Sequence, residues 1–228
     1  MEAIVLAGGF GTRLRQMVPD LPKPMAPIAG RPFLEILLKA LSKKGFTRVV
    51  LSLGYLSEKI SGYFGDRYAN LELEYVVETS PLGTGGAVRL AMTRCQEEHV
   101  FVFNGDTYLD LDIDGVEQLW QKNRHPIIVG REVDDTARYG RLETDGLRVS
   151  GFAEKGAAGA GLINAGCYVL NQGQLDAFAL HTPFSLETDY LAAVLAKQPF
   201  DLFATSGHFI DIGVPEDFSR AQTELAGL

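Results

Sequence analysis

The chain has 228 residues, of which 46% are hydrophobic and 22% charged, and its formal net charge is −8 at pH 7. This length suits one large domain, with a core that needs no disulfide or metal to hold it together. The acidic balance argues against a surface that binds nucleic acid or an anionic membrane. Positive residues must therefore be concentrated where an anionic ligand binds.

The two cysteines, Cys95 and Cys167, are far apart and lack the spacing of a metal site. We therefore expect reduced thiols and a cytoplasmic protein. No apolar run approaches transmembrane length, and no basic leader with an apolar core precedes the first strand. The sequence leaves the oligomeric state open, a homodimer included.

Apolar periodicity and turn residues predict strands and helices that alternate along the first half of the chain. The expected strands there are 3–7, 49–53, 71–77, 100–104 and 126–131, and the expected helices are 31–44, 57–64, 86–94 and 116–123. In the second half we expect strands 140–143, 147–154, 165–170 and 200–205, and helices 186–196 and 215–226. This order predicts a single-domain α/β fold, a three-layer sandwich with a mostly parallel central sheet and a small antiparallel extension.

The loop after the first strand carries the features of a phosphate-binding loop. Gly8, Gly9 and Gly11 allow close backbone approach, so that successive N–H groups can converge on phosphate oxygens. Arg13 adds a planar fork of donors, and Lys23 adds a point charge between two prolines. A dinucleotide fingerprint and a P-loop are both excluded, because neither the third glycine nor a Gly-Lys-Ser/Thr ending is present.

The stretch LAGGFGTRL, followed by PKPM, resembles the signature of the sugar-1-phosphate nucleotidyltransferases. The resemblance implies a Rossmann-like, GT-A-like fold with a nucleoside triphosphate on this loop. It also implies a reaction in which the nucleoside monophosphate is joined to a sugar 1-phosphate and pyrophosphate is released. The loop residues expected at the nucleotide are Leu6, Ala7, Gly8, Gly9, Gly11, Thr12, Arg13 and Lys23.

Asp106 follows the apolar strand 100–104, where ligands of open α/β sheets bind, so we expect it to hold Mg²⁺ against phosphate oxygens. The segment DIGVPEDF resembles the late metal-binding motif of the family, which makes Asp211 the second metal ligand. Asp217 of the same segment is interpreted as a first-turn carboxylate of the last helix. With Arg13 and Lys23 neutralising the leaving pyrophosphate, the predicted catalytic residues are Arg13, Lys23 and Asp106.

Three further segments resemble motifs of the family. The glycine-rich turn 78–87 resembles its base-binding segment, and the expected nucleotide contacts beyond the first loop are Glu78, Pro81, Gly83, Thr84, Gly85, Asn104 and Gly105. The expected sugar-phosphate contacts are Tyr139, Gly140, Glu154, Lys155, Asn164 and Gly166. The N-terminal half of the one domain, 1–228, is thus predicted to bind the nucleotide and the C-terminal half the sugar phosphate.

Overall likeness is greatest to the short D-glycero-D-manno-heptose 1-phosphate guanylyltransferases, which implies GTP and a heptose 1-phosphate as substrates and GDP-heptose for capsule or surface polysaccharide as product. Mannose-1-phosphate guanylyltransferase and N-acetylmuramate-1-phosphate uridylyltransferase stay open as alternatives. An alternative of another class is a catalytically silent homologue that senses a sugar nucleotide. Such proteins usually lose the basic loop residues or the metal aspartates, and all of these are present here.

Overall fold

The computed structural model of the protein describes residues 1–9, 20–153 and 158–228. Within these ranges the strands are β1 (Glu2–Leu6), β2 (Pro27–Ile28), β3 (Arg31–Pro32), β4 (Arg48–Leu53), β5 (Arg67–Tyr68), β6 (Leu71–Val77), β7 (His99–Asn104), β8 (Thr107–Leu109), β9 (Ile127–Val133), β10 (Leu142–Asp145), β11 (Arg148–Phe152), β12 (Gly161–Asn171), β13 (Asp201–Thr205) and β14 (Phe209–Asp211). The α-helices are α1 (Phe33–Lys43), α2 (Ser57–Phe64), α3 (Gly83–Met92), α4 (Ile113–Asn123), α5 (Ala192–Val194) and α6 (Pro215–Glu224). A 3₁₀ turn covers Lys23–Met25, and a turn of π-helix covers Leu186–Leu191.

Ten of these strands form one sheet in the order β10-β11-β13-β9-β12-β7-β1-β4-β6-β5. Strands β7, β1, β4 and β6 are adjacent and parallel, so their carboxyl ends lie at one edge of the sheet. β4 is buried along its whole length, as expected of a strand that is covered on both faces. The predicted α/β fold with a mostly parallel core is confirmed.

The antiparallel part of the sheet begins at β12, which lies between β7 and β9 and runs antiparallel to both. The pairing of β12 with β9 shifts register between Asn164 and Tyr168. Such an irregularity changes the direction in which a strand presents its side chains. β13 runs parallel to β9, while β11 and β10 complete this side of the sheet as antiparallel strands.

Helices cover both faces of the sheet. Val5 of β1 belongs to a buried cluster that includes Leu37 of α1 and Val116 of α4. The preceding residue, Ile4, belongs to a second cluster that includes Val88 of α3. Because successive strand residues face opposite sides, these two clusters are the two halves of a three-layer core.

A third buried cluster attaches the C-terminal segment to this core. It joins Ile36 of α1 to Ile212, Phe218 and Ala221, which lie just before α6 or within it. β14 pairs with β8 in a separate two-stranded sheet. The segment that follows β7 is therefore held beside the segment that precedes α6.

The helix expected over 31–44 begins two residues later, because Arg31–Pro32 pairs with Pro27–Ile28 as a hairpin. The helix expected over 86–94 begins earlier, at Gly83, so the predicted glycine-rich turn forms its first turn. The helix expected over 186–196 starts as a π-helical turn instead of an α-helix. Among the described residues, no helix is both long enough and apolar enough to cross a bilayer.

Candidate active site

A cavity of about 570 Å³ opens where β1, β4, β6 and β7 end. The predicted nucleotide residues that line it are Leu6, Ala7, Gly8, Gly9, Lys23, Glu78, Pro81, Gly83, Thr84, Asn104 and Gly105. Asp106, the predicted metal ligand, lines it as well. The four histidines all lie within the described ranges, and none of them is among the residues that line the cavity there.

Backbone segments that follow β1 and β4 approach each other closely in this cavity. A Cβ added to Gly54 would lie 2.8 Å from the carbonyl oxygen of Gly8, and one added to Gly8 would lie 3.0 Å from Glu78 Oε1. Position 54 therefore requires glycine, or the surrounding backbone must shift, whereas a Cβ at position 8 would make tight contacts with Glu78 and with the Gly54 backbone. Part of the cavity wall is main chain, which suits a ligand that is bound by N–H groups.

Glu78 is held in a fixed orientation at this wall. Its Oε2 accepts the backbone N–H of Leu82 at 2.8 Å, and its Oε1 lies 3.5 Å from the hydroxyl donor of Ser52. Burial raises the pKa of the Glu78 carboxyl, although the Leu82 N–H opposes the rise. A partly buried carboxylate at this place can accept the amino or imino hydrogens of a nucleobase edge.

The exit of β7 is joined to the exit of β1 by a direct backbone contact. The Gly105 N–H donates to the Leu6 carbonyl at 2.9 Å, and a Cβ at Gly105 would lie 2.5 Å from that oxygen. Glycine at this position allows the chain to turn against β1. The next residue, Asp106, is thereby presented at the rim of the cavity.

Two carboxylates and one ammonium meet at this rim. Lys23 forms an ion pair with Asp106. The Ile212 N–H donates to the Asp106 carbonyl at 3.0 Å, which brings Asp211 to the same place. A Cβ at Gly213 would lie 2.7 Å from Asp211 Oδ1 and 2.7 Å from Lys23 Nζ. The structure thus brings together Lys23, Asp106 and Asp211, which are distant in sequence.

The cluster has a net negative charge, and both burial and this charge act on the pKa of Asp211. Burial raises the pKa of the Asp211 carboxyl, and the charge of Asp106 raises it further. The Gly213 N–H, donated to Asp211 Oδ1 at 2.7 Å, and the charge of Lys23 oppose the rise. A second positive charge at this place would therefore stabilise both carboxylates in their ionised form.

Of the residues predicted to contact the sugar, Tyr139 and Gly140 follow β9, while Asn164 and Gly166 lie in β12. The Tyr139 ring contacts the edge of the Phe209 ring at a centroid distance of 6.2 Å. Burial raises the pKa of Tyr139, and Asp211 is among the charged groups that act on it. Tyr139 is therefore near the acidic cluster, although it does not line the cavity.

Asn164 and Gly166 lie next to the nucleotide side. The Gly166 N–H donates to Asn164 Oδ1 at 3.1 Å, and Gly166 has a φ of 67°. A Cβ at Gly166 would overlap the side-chain amide of Asn104, which does line the cavity. The two predicted halves of the site therefore meet at Asn104.

Several predicted residues lie outside the described ranges. Gly11, Thr12 and Arg13 fall within 10–19, and Glu154 and Lys155 fall within 154–157. Their predicted roles remain those that the resemblance implies.

Gly85 is placed differently from the expectation. Its N–H donates to the Phe184 carbonyl at 2.9 Å, and a Cβ there would overlap the Phe184 ring. Gly85 is therefore needed for packing between α3 and the segment before the π-helical turn. It does not line the cavity, and its N–H already has a protein acceptor.

Asp217 lies in the first turn of α6, as predicted, but it is also buried. Arg138 donates to its Oδ2 at 3.1 Å, and Arg220 donates to its Oδ1 at 2.8 Å. This carboxylate joins the residue before Tyr139 to the helix that follows Asp211. Asp217 and Arg220 have i,i+3 spacing on α6, but no sequence pattern indicated the contact of Asp217 with Arg138, which is far away along the chain.

Some cavity residues were missed by the sequence analysis. Ser52, Gly54 and Tyr55 lie outside every predicted motif, whereas Pro24 lies in the predicted PKPM segment and Thr79, Ser80 and Ala87 lie in the predicted turn 78–87 without having been named individually. Ser52, Gly54 and Tyr55 lie at the carboxyl end of β4, a strand that was predicted. Applying the strand-end rule to that strand as well would have found them.

A two-carboxylate cluster is too small to complete the coordination of a metal by itself. Among the described residues, no group of three or more His, Cys, Asp or Glu side chains could hold a metal ion. Mg²⁺ is commonly bound by one or two carboxylates together with substrate phosphates and water. The donor set of Asp106 and Asp211 fits that pattern.

Comparisons with known proteins agree on the family. The model of the family described as "Nucleotidyl transferase" matches residues 2–227. The D-glycero-alpha-D-manno-heptose 1-phosphate guanylyltransferase of Aneurinibacillus thermoaerophilus is 40% identical over 226 residues, which are 99% of this chain and 98% of that protein. The mannose-1-phosphate guanylyltransferase of Mycobacterium tuberculosis is 35% identical over 231 residues, which are 99% of this chain but 64% of that protein.

Solved structures match over almost the whole chain. HddC from Yersinia pseudotuberculosis, crystallised in complex with GMP-PN, has a TM-score of 0.86 and 38% sequence identity, with 97% of each chain covered. A glucose-1-phosphate thymidylyltransferase structure from Bacillus anthracis also has a TM-score of 0.86, at 19% identity. At that identity the second match supports the fold alone.

Proposed function

This chain belongs to the nucleotidyl transferase family, and from that membership we propose that it transfers GMP from GTP to D-glycero-α-D-manno-heptose 1-phosphate, giving GDP-heptose and pyrophosphate. The observation that carries the chemistry is the meeting of Lys23 with Asp106 and Asp211 at the rim of a cavity of about 570 Å³. The base and the sugar are proposed from the relative that is 40% identical over nearly the full length of both chains.

In the proposed reaction, an oxygen of the sugar 1-phosphate attacks the α-phosphorus of the triphosphate. The bond from that phosphorus to its bridging oxygen breaks, and pyrophosphate leaves with the bonding electrons. The nucleophile is already an anion, so catalysis consists of positioning the reactants and neutralising their charge.

We assign the nucleotide to the cavity and the sugar phosphate to the neighbouring part of the C-terminal half. Glycine-rich backbone and Glu78 would hold the nucleoside triphosphate, while Lys23 would stabilise charge on the leaving pyrophosphate. Arg13 would share that task, as the family resemblance implies. The sugar phosphate would contact Tyr139 and Asn164, with the other sugar contacts assigned by resemblance.

Enzymes of this family use a divalent metal, and we propose Mg²⁺ here. Asp106 and Asp211 would hold it, because burial and the charge of Asp106 raise the pKa of Asp211, and a cation beside the two carboxylates would oppose that rise. When bound, the cation would supply positive charge against the phosphate oxygens. A cytoplasmic location and a role in capsule or surface-polysaccharide synthesis belong to the same proposal.

A panel of nucleoside triphosphates and sugar 1-phosphates, followed by pyrophosphate release with Mg²⁺ present, tests the proposal. We expect GTP with D-glycero-α-D-manno-heptose 1-phosphate to give the highest kcat/KM. Higher kcat/KM with mannose 1-phosphate would replace the proposed sugar, and higher kcat/KM with UTP would replace the base. No pyrophosphate with any pair would favour a silent, nucleotide-sensing homologue.

A further inference from the structure

A continuous series of hydrogen bonds connects the nucleotide cavity to the predicted sugar-binding strand. The Thr84 hydroxyl, at the cavity, donates to Glu187 Oε2 at 2.8 Å, and the Tyr168 hydroxyl donates to Glu187 Oε1 at 2.9 Å. Asn164 Nδ2 donates to the Tyr168 oxygen at 2.7 Å. Asn164 Oδ1 in turn accepts the Gly166 N–H at 3.1 Å. Glu187 and Tyr168 were not among the predicted site residues.

The direction of each bond is determined by the chemistry of its members. Tyr168 is completely buried, and burial together with the Glu187 charge keeps its pKa well above the usual value, so it stays protonated. Its proton goes to Glu187, which leaves its oxygen to accept from Asn164. The Asn164 amide is thereby held with Nδ2 toward Tyr168 and with one N–H still unused by these bonds.

Three members of the series, Glu187, Tyr168 and Asn164, lie where regular structure is interrupted. Glu187 is in the π-helical turn Leu186–Leu191, and β12 shifts register between Asn164 and Tyr168. The Leu186 N–H donates to the Thr84 hydroxyl at 2.9 Å, so the π-helical turn contacts the start of α3 twice. Irregularities of these two kinds are frequent at functional sites, where they direct a side chain toward a ligand.

We propose that Glu187 is a positioning residue that couples the two substrate subsites. On one side it holds Thr84 and the first turn of α3, and on the other it orients the Asn164 amide through Tyr168. This inference rests on the proposed function, since it assumes that a nucleotide and a sugar phosphate occupy the two sides. Glu187 does not itself line the cavity.

Isosteric variants test the two sides of this hydrogen-bond series separately. Tyr168→Phe removes the hydroxyl that orients Asn164, and we expect it to raise KM for the sugar 1-phosphate by about tenfold, with KM for the triphosphate changed by less than about twofold. Thr84→Val should instead raise KM for the triphosphate, with KM for the sugar 1-phosphate changed by less than about twofold. Glu187→Gln should raise both KM values, because an amide replaces one of the two acceptor oxygens by a donor.

Tyr190→Phe is the matched control. Tyr190 lies in the same π-helical turn, is buried, and its hydroxyl accepts from Gln174 at 2.6 Å, away from the cavity lining. Its removal should lower the thermal unfolding temperature much as Tyr168→Phe does, without a split between the two KM values. The split therefore reports positioning, because a loss of stability alone would not produce it.

Wild-type turnover with GTP and the heptose 1-phosphate is measured first, so that its absence counts against the proposed function alone. In either case, calorimetry on EDTA-treated protein gives the dissociation constants of the triphosphate and of the sugar 1-phosphate without turnover. The coupling is supported if Tyr168→Phe weakens the binding of the sugar 1-phosphate alone and Glu187→Gln weakens the binding of both ligands. Binding and KM values that change no more than in Tyr190→Phe overturn it.

Discussion

Replacing Lys23 with alanine should have opposite effects on turnover and on metal binding. Lys23 is paired with Asp106, and the exposed fractions of the two side chains are 14% and 34%. The same ammonium also opposes the rise in the pKa of Asp211. In the absence of nucleotide, Lys23 therefore competes with a divalent cation for the two carboxylates. During turnover it would instead stabilise the charge on pyrophosphate.

The size of the effect on metal binding follows from the strength of the Lys23–Asp106 ion pair. Two opposite charges 4 Å apart attract by about 4 kcal/mol at an effective dielectric constant of about 20. Because a third of the Asp106 side chain is exposed, water screens the pair, and about 1 kcal/mol is the appropriate net value. Lys23→Ala should therefore tighten metal binding by about fivefold without nucleotide. It should lower kcat by about 10²–10³, the typical loss for one transition-state charge contact.

Calorimetric titration with Mg²⁺ or Mn²⁺ in the absence of nucleotide measures the first effect, and pyrophosphate release at saturating substrates measures the second. Lys44→Ala is the matched control, because Lys44 pairs with Asp110 at 2.7 Å and neither residue lines the cavity. It should leave both quantities unchanged. If Lys23→Ala keeps the wild-type kcat, Lys23 has no part in the chemistry. If it binds the cation no more tightly than wild type, the proposed competition is wrong.

Asp106→Asn and Asp211→Asn should each lower turnover by more than about tenfold at saturating Mg²⁺, which is equivalent to about 1.4 kcal/mol. Circular dichroism should show that the fold of each variant is intact. A smaller loss of turnover would contradict the metal assignment. Lys155→Ala should raise KM for the sugar 1-phosphate much more than for the triphosphate in kinetics with both substrates varied, and the reverse result would exchange the two subsites. Burial and the nearby Glu2 raise the pKa of the Cys95 thiol to about 12, so little thiolate forms at pH 8. Iodoacetamide should therefore label Cys95 much more slowly in the native than in the unfolded protein, as measured by mass spectrometry. Equal labelling rates would show that this thiol is not protected.

Features that depend on a few neighbouring residues could be predicted from the sequence. The helix Ser57–Phe64 and the strand Leu71–Val77 have the predicted bounds, because apolar periodicity and flanking turn residues are local properties. The strand-end rule placed Asp106 at the edge of the sheet where the cavity lies. The position of Asp211 followed from a motif of the family.

Contacts between distant segments required the tertiary structure. Lys23, Asp106 and Asp211 meet only because β14 pairs with β8 beside the exit of β7. Glu187 is connected to Asn164 through Tyr168, which lies on the same strand as Asn164. A residue's own neighbours in the sequence carry no information on such pairings, which depend on strand order, register and the packing of helices on the sheet. Local patterns therefore determined the elements and several of the residues that line the cavity, whereas the three-dimensional arrangement determined which of those residues lie together.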